Sequence, residues 1–196
     1  RTVADAMYQV LTEQFGNPSS QYPMGVEMKA AVERWRAVIA GALGCKAESL
    51  YFTSCGTESD NWAIQAALWQ NRHKGRHIIT TAVEHHAILN CMKELEGQGY
   101  TVTYLQPDSE GRISLDSLSQ ALTKDTILVS VMMVNNETGA VMPIAQMAKL
   151  VHRVCPEAIF HTDAVQGFLK IPFQAKSLSA DLISVSSHKI HGPKGC

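Results

Sequence analysis

The sequence predicts an α/β fold, a mostly parallel sheet with helices on both faces, and three observations carry that prediction. Short β-rich apolar runs alternate with stretches of helical periodicity along the chain, and strands separated by helices call for right-handed crossovers between parallel strands. The run 126–134 is apolar with no clean alternation, the pattern of a strand buried on both faces of a sheet. Polar, chemistry-bearing motifs recur at the C-terminal ends of these runs, where open α/β sheets bind ligands.

The elements follow in order. Val3, Met7, Val10 and Leu11 recur at helical spacing, and Gly16-Asn17-Pro18 stops that helix. After a loop, Met28, Ala31, Val32, Trp35, Ile39, Ala42 and Leu43 form the stripe of a second helix ended by Gly44. Leu50-Tyr51-Phe52-Thr53 reads as a short strand, and a helix follows from Thr57 with Ala63, Ile64, Ala67 and Leu68 on one face. Strand 77–81 leads into Glu84-His85-His86 at the start of a helix with the stripe Ile88, Cys91, Met92 and Leu95. Strand 100–105, helix 115–122, strand 126–134, helix 143–154, strand 158–162 and strand 181–186 complete the series.

The 196 residues, 45% hydrophobic and 18% charged, suffice for one globular core. A net charge of -1 gives no electrostatic case for nucleic acid or an anionic membrane. Cys45, Cys55, Cys91, Cys155 and Cys196 are odd in number and contain no C-x-x-C pair, which argues against a disulfide framework or a zinc knuckle. No apolar run reaches the length of a membrane helix, and Arg1-Thr2-Val3-Ala4-Asp5 is no signal peptide. The expectation is a cytoplasmic protein.

The chemistry collects at the strand ends. Ser54-Cys55-Gly56 turns into a helix at Thr57; the glycine admits close approach, and the helix N-terminus offers unsatisfied N–H donors and a partial positive charge to an anion. Plain capping by Thr57 is the bland alternative. Two adjacent histidines, His85 and His86, point about 100° apart on a helix, so they cannot readily chelate one metal. Ser186-Ser187-His188-Lys189 follows the last apolar run and precedes Gly192-Pro193. Lys189 is therefore expected at a strand end, buried or half-buried. A lysine so placed loses solvation of its charged form and becomes a nucleophile for carbonyl carbon, as Schiff-base chemistry requires.

Six blocks, in order, carry a family resemblance: Gln14-Phe15-Gly16-Asn17-Pro18-Ser19-Ser20, Phe52-Thr53-Ser54-Cys55-Gly56-Thr57-Glu58-Ser59-Asp60-Asn61, Glu84-His85-His86-Ala87-Ile88, Val134-Asn135-Asn136-Glu137-Thr138-Gly139, His161-Thr162-Asp163-Ala164-Val165-Gln166 and the Lys189 segment. Together they resemble the cysteine desulfurases of the nitrogen-fixation and iron–sulfur-cluster type, in the class V aminotransferase superfamily. The resemblance implies the large domain of the fold type I pyridoxal-phosphate (PLP) transferases, with PLP as cofactor and L-cysteine as substrate. It also implies a homodimeric parent protein and an iron–sulfur scaffold protein as sulfur acceptor.

By the same resemblance, Lys189 is the Schiff-base lysine, Asp163 the partner of the pyridine nitrogen and Gln166 the donor to the ring's phenolate oxygen. His85 is implied to stack on the ring and move protons, and Asn136 to lie near the phenolate oxygen and substrate. Gly56, Thr57, Ser186 and His188 match the phosphate shell, with weaker claims for His86 and Asn135. A carboxylate about 4 Å from a pyridinium in a partly buried site attracts it by about 4 kcal/mol. The chain lacks an initial Met and stops at Cys196; residues 1–196 are expected to be a PLP-binding large domain cut at both ends. The C-terminal small domain, the persulfide cysteine and a carboxylate-binding arginine are expected outside it, so the fragment is expected to be inactive. Two other readings compete: another class V activity, such as a selenocysteine lyase or an aminotransferase, and a metal-dependent hydrolase using His161, Asp163, His188 and His191.

Overall fold

The computed structural model describes residues 1–196. Its elements are α1 (Thr2–Glu13), α2 (Pro23–Leu43), α3 (Gly56–Asn71), β1 (His77–Thr81), α4 (His86–Gly97), β2 (Thr101–Leu105), α5 (Leu115–Ala121), β3 (Thr126–Ser130), α6 (Ile144–Val154), β4 (Ile159–Asp163), α7 (Ala175–Leu178) and β5 (Leu182–Ser184). The five strands form one sheet in the order β2-β1-β3-β4-β5, and every pairing is parallel. The α/β expectation holds.

Alternating strand residues serve opposite layers. Ile78 and Leu128 face a core made with Ile64 and Leu68 of α3 and Ile88, Met92 and Leu95 of α4. Their neighbours Ile79 and Val129, with Phe160, face a second core built with Leu118 of α5 and Met147 and Val151 of α6. Both β1 and β3 are buried along their whole length, as strands covered on both faces of a sheet are, and neither shows an alternation of apolar and polar residues. Each fully buried Ile or Leu of these layers contributes about 2 kcal/mol.

Helix ends follow local chemistry. Pro23 opens α2, and Gly44 closes it at φ 74°, a left-handed position that glycine takes without strain. Ser114 caps α5, its side chain accepting the Ser117 N–H at 3.0 Å. No helix is long and apolar enough to cross a membrane.

Four expectations need correction. Residues 50–53 are no strand: Leu50 is extended, but Tyr51 and Phe52 are exposed and the segment pairs with no other strand. The strand expected over 126–134 ends at Ser130. Beyond it Val131 and Met133 remain buried and donate irregularly to His161 and Asp163 carbonyls at 3.1 and 2.8 Å, so apolarity marked burial there and not continued pairing. The last strand spans Leu182–Ser184 and not 181–186. Finally, α7 and the 3-10 turn Ser187–Ile190 were not anticipated, each being only four residues long.

Candidate active site

The carboxyl ends of the strands place the expected residues on one rim. α3 begins at Gly56, with Cys55 as extended N-cap. A Cβ at Gly56 would lie 3.4 Å from the Ser186 Cβ and 3.5 Å from Val165, so the first turn of α3 meets the loops that follow β4 and β5. The first N–H groups of α3 have no intrahelical acceptor, which suits an anion. Ahead of the helix, Glu58 accepts the Ser54 N–H at 2.5 Å, and that bond holds its carboxyl below the ordinary range.

Asp163 ends β4 opposite Ser184 of β5 and is 6% exposed. Burial pushes its carboxyl up, opposed by the Val165 N–H and the nearby His85; the N–H bond is 2.8 Å long. No lysine or arginine pairs with it, and so a cationic ring nitrogen would meet an uncommitted carboxyl. Gln166, half-buried one turn further on, accepts from Lys170 Nζ at 2.7 Å through Oε1. That contact leaves the amide N–H groups of Gln166 as its free donors.

His85 is the N-cap of α4, its Nδ1 accepting the Ala87 N–H at 3.1 Å. Its backbone is extended (φ -61°, ψ 149°), so only His86 of the pair lies in the helix. Asn136 is exposed on the rim, whereas Asn135 is a buried organiser. Asn135 donates to the Val83 carbonyl at 2.9 Å, and its Oδ1 accepts the N–H groups of Glu137 and Thr138 at 3.0 and 2.8 Å.

The Lys189 segment departs from expectation. Lys189 and His188 are exposed in the 3-10 turn Ser187–Ile190, not buried, because the apolar lead-in describes β5 and not the turn after it. Ser186 is buried and its Oγ lies 2.9 Å from His188 Nδ1, which joins two of the expected phosphate contacts to the same turn.

The four residues of the hydrolase alternative do not form a metal centre. His161 is fully buried with both ring nitrogens engaged, by Ser130 at 2.9 Å and Ser184 at 3.0 Å. No cluster of His, Cys, Asp and Glu offers a metal three ligands.

Sequence reasoning missed two buried carboxyls beneath the rim. Glu84 is 5% exposed; its Oε1 accepts from Thr81 Oγ1 at 2.8 Å and from the Met132 N–H at 2.9 Å, while Oε2 has no partner. Burial drives it to about 8, with the charges of Asp163 and Asp60 adding to the rise. Asp60, 2% exposed, is likewise pushed to about 8, first by burial and then by Asp163. Their neighbours Ser59, His85 and His86 are polar, so each stretch reads as a solvated helix start. The available signal, for Glu84 alone, was its position three residues after the end of β1.

The rim can therefore hold a phosphorylated, cationic aromatic ring: anion donors on α3, an unpaired buried carboxyl on β4, a histidine on α4 and a lysine after β5. The aminotransferase class-V family matches residues 1–196. The cysteine desulfurase IscS of Methanosarcina thermophila is 47% identical over 196 residues, 100% of this chain and 48% of the relative. A cysteine desulfurase of Nostoc sp. (strain PCC 7120) is 50% identical over 193 residues, 98% of this chain and 48% of its own. Among solved structures, a NifS-like protein matches with a TM-score of 0.96 at 40% identity, over 99% of this chain and 53% of the other. SspA in complex with cysteine matches with a TM-score of 0.94 at 33% identity, over 100% of this chain and 56% of the other. The chain spans about half the length of the curated relatives it matches. With a family match over every residue and a shared fold at these identities, the chain belongs to the class-V aminotransferase family.

Proposed function

We propose that the complete protein is a PLP-dependent cysteine desulfurase, which takes sulfur from L-cysteine, leaves alanine and passes the sulfur, as an enzyme persulfide, to iron–sulfur cluster assembly. The observation that carries this reading is the meeting of the α3 N-terminus, the Asp163 carboxyl and the Ser186 to Lys189 turn at one strand-end rim. The names of its relatives support it, and the solved complex of SspA with cysteine supports the substrate.

Bound PLP supplies an electron sink that acidifies bonds at the substrate α-carbon. The chain's residues then have distinct tasks. The N–H groups of Gly56 and Thr57, with Ser186 and His188, hold the phosphate. Asp163 pairs with the ring nitrogen and keeps it protonated. Gln166 donates from its amide to the phenolate oxygen, and Asn136 lines the substrate side. Lys189 Nζ would hold the cofactor and could carry a proton. His85 would hold or move a proton at Nε2, since its Nδ1 caps α4.

The acceptor thiol comes from outside residues 1–196. Burial pushes Cys91 to about 11 and raises Cys155, Cys55 is the N-cap residue of the helix taken to hold the phosphate, Cys45 follows the end of α2, and the Cys196 thiol is engaged by Ser187 Oγ at 3.0 Å. On this reading residues 1–196 are the cofactor-binding large domain. A small domain and a second subunit complete the site, and a cytoplasmic setting suits the five free cysteines. The test is borohydride trapping of the PLP-loaded complete protein, followed by peptide mapping and a cysteine assay for alanine and sulfide. The expected adduct is on Lys189; an adduct on Lys170 or Lys194, or no alanine, refutes the reading.

A further inference from the structure

Between β4 and α7 the chain makes a tight double turn that ends on an exposed lysine. The Ala164 carbonyl accepts the N–H groups of Gly167 and Phe168 at 2.9 and 2.8 Å, and the Gly167 carbonyl accepts those of Lys170 and Ile171, both at 3.0 Å. A Cβ at Gly167 would strike Met133 Sδ, so the first turn lies directly against the segment that follows β3. Phe168 is buried, and its ring centroid is 6.4 Å from that of Phe173. Ile171 and Phe173 pack against the core that contains Met147 and Val151.

Leu169 stands between these anchored ends at φ 58° and is 64% exposed. A branched side chain in the left-handed region carries a strain that glycine avoids, and here no burial offsets it. Such strain persists where the surrounding structure over-determines the backbone. Lys170 therefore leaves a fixed turn, and its Nζ donates to Gln166 Oε1 at 2.7 Å. No carboxylate lies within ion-pair reach of Lys170, so the amide oxygen has no rival for it.

We propose that Lys170 is a positioning residue of the cofactor site: its ammonium commits Gln166 Oε1, so that the amide presents Nε2 to the ring's phenolate oxygen. The two ends of a glutamine amide are nearly alike in shape and differ in hydrogen bonding. Turned the other way, the amide would set an acceptor against an anionic oxygen. An ammonium has three donors and no acceptor, so it holds one orientation and rejects the other, and its charge makes the bond stronger than a neutral one. The proposal deepens the PLP reading and rests on it for the phenolate oxygen; the commitment of Oε1 stands on the geometry of the turn.

The experiment uses the complete protein, and Lys170 is exposed, so its variants disturb no packed core. In cofactor-free protein labelled with 15N glutamine, the Gln166 side-chain amide is assigned from Gln166→Leu and followed by NMR. Lys170→Met is expected to move it toward the position of an unstructured glutamine, and Lys170→Arg, which keeps a charged donor, to leave it near its place. An amide signal indifferent to Lys170→Met overturns the contact. Deoxypyridoxine phosphate, which has the ring nitrogen, phenolate oxygen and phosphate of PLP but no aldehyde for Lys189, is then titrated by absorbance. Lys170→Met is expected to bind it about five- to tenfold more weakly, with most of that loss recovered in Lys170→Arg. In a Gln166→Leu background the same substitution is expected to add nothing. An equal loss with and without Gln166 shows that the lysine acts by its charge alone and overturns the positioning role, as does equal affinity in the unmodified protein and Lys170→Met. Failure of the unmodified protein to take up PLP overturns instead the function proposed above, with the amide spectrum still deciding whether Lys170 commits Gln166.

Discussion

Replacing Glu84 by glutamine should stabilise the protein at neutral pH, because the fold buries a carboxyl that it must keep protonated. The ordinary value for a glutamate is 4.5, and burial lifts Glu84 to about 8. Between these values the folded chain holds a proton that the unfolded chain has released, so stability is full at low pH and falls as pH rises toward 8. From pH 4.5 to 7, at about 1.4 kcal/mol per pH unit, the loss is roughly 3 kcal/mol. Glutamine keeps an acceptor for Thr81 and Met132, and its Nε2 enters the same partnerless space as the protonated Oε2, so no new polar group is stranded. Urea denaturation at pH 5, 6, 7 and 8 should give curves for the wild type and Glu84→Gln that nearly coincide at pH 5 and separate by roughly 3 kcal/mol at pH 7. A constant offset across that range, or a variant less stable at pH 7, would show that Glu84 is ionised in the fold.

Three further outcomes follow from the same geometry. Asp163→Asn should leave the fold intact but remove about 4 kcal/mol of attraction for a ring nitrogen; unchanged turnover in the complete protein would rule out the ion-pair role. Asn71→Ala should destabilise by about 2 kcal/mol in chemical denaturation, because the buried Nδ2 bridges the carbonyls of Ile127 and Glu157 at 3.3 and 2.7 Å; a loss under half of that would mean the carbonyls find other donors. Iodoacetamide under native conditions should modify Cys196 within minutes and spare Cys91 and Cys155, whose thiols are buried and raised; mass spectrometry showing early modification of Cys91 would contradict its placement in the core.

The layers of the fold were legible because burial on both faces leaves a continuous apolar run, which β3 carries at Ile127, Leu128 and Val129. Residues 50–53 show the limit of that signal. Their aromatic and β-branched side chains suit a strand, yet pairing needs a neighbour, and a neighbour is a property of the whole fold. The rim was legible for a similar reason: Gly56, His85, Asp163 and Lys189 stand at the ends of runs the sequence delimits. Lys189 was misjudged for burial, since β5 ends at Ser184 and the turn beyond it faces solvent. Asp60 and His161 were illegible as neighbours, because one faces the other across α3 and β4 over about a hundred residues of sequence.

Helix α1 carries a consequence of a different kind. None of its residues is buried; Tyr8 and Leu11 are 70% and 71% exposed, and Val3 and Met7 are exposed beside them. An isolated helix of about twelve residues is marginal in water, and α1 has twelve. In residues 1–196 by themselves, its amide protons should exchange with solvent deuterium by local opening that costs almost no free energy, while those of β1 and β3 wait for global unfolding. Limited proteolysis should likewise cut near Tyr8 and leave the sheet whole. Two populations of amide, separated by the full stability of the domain, thus share one chain.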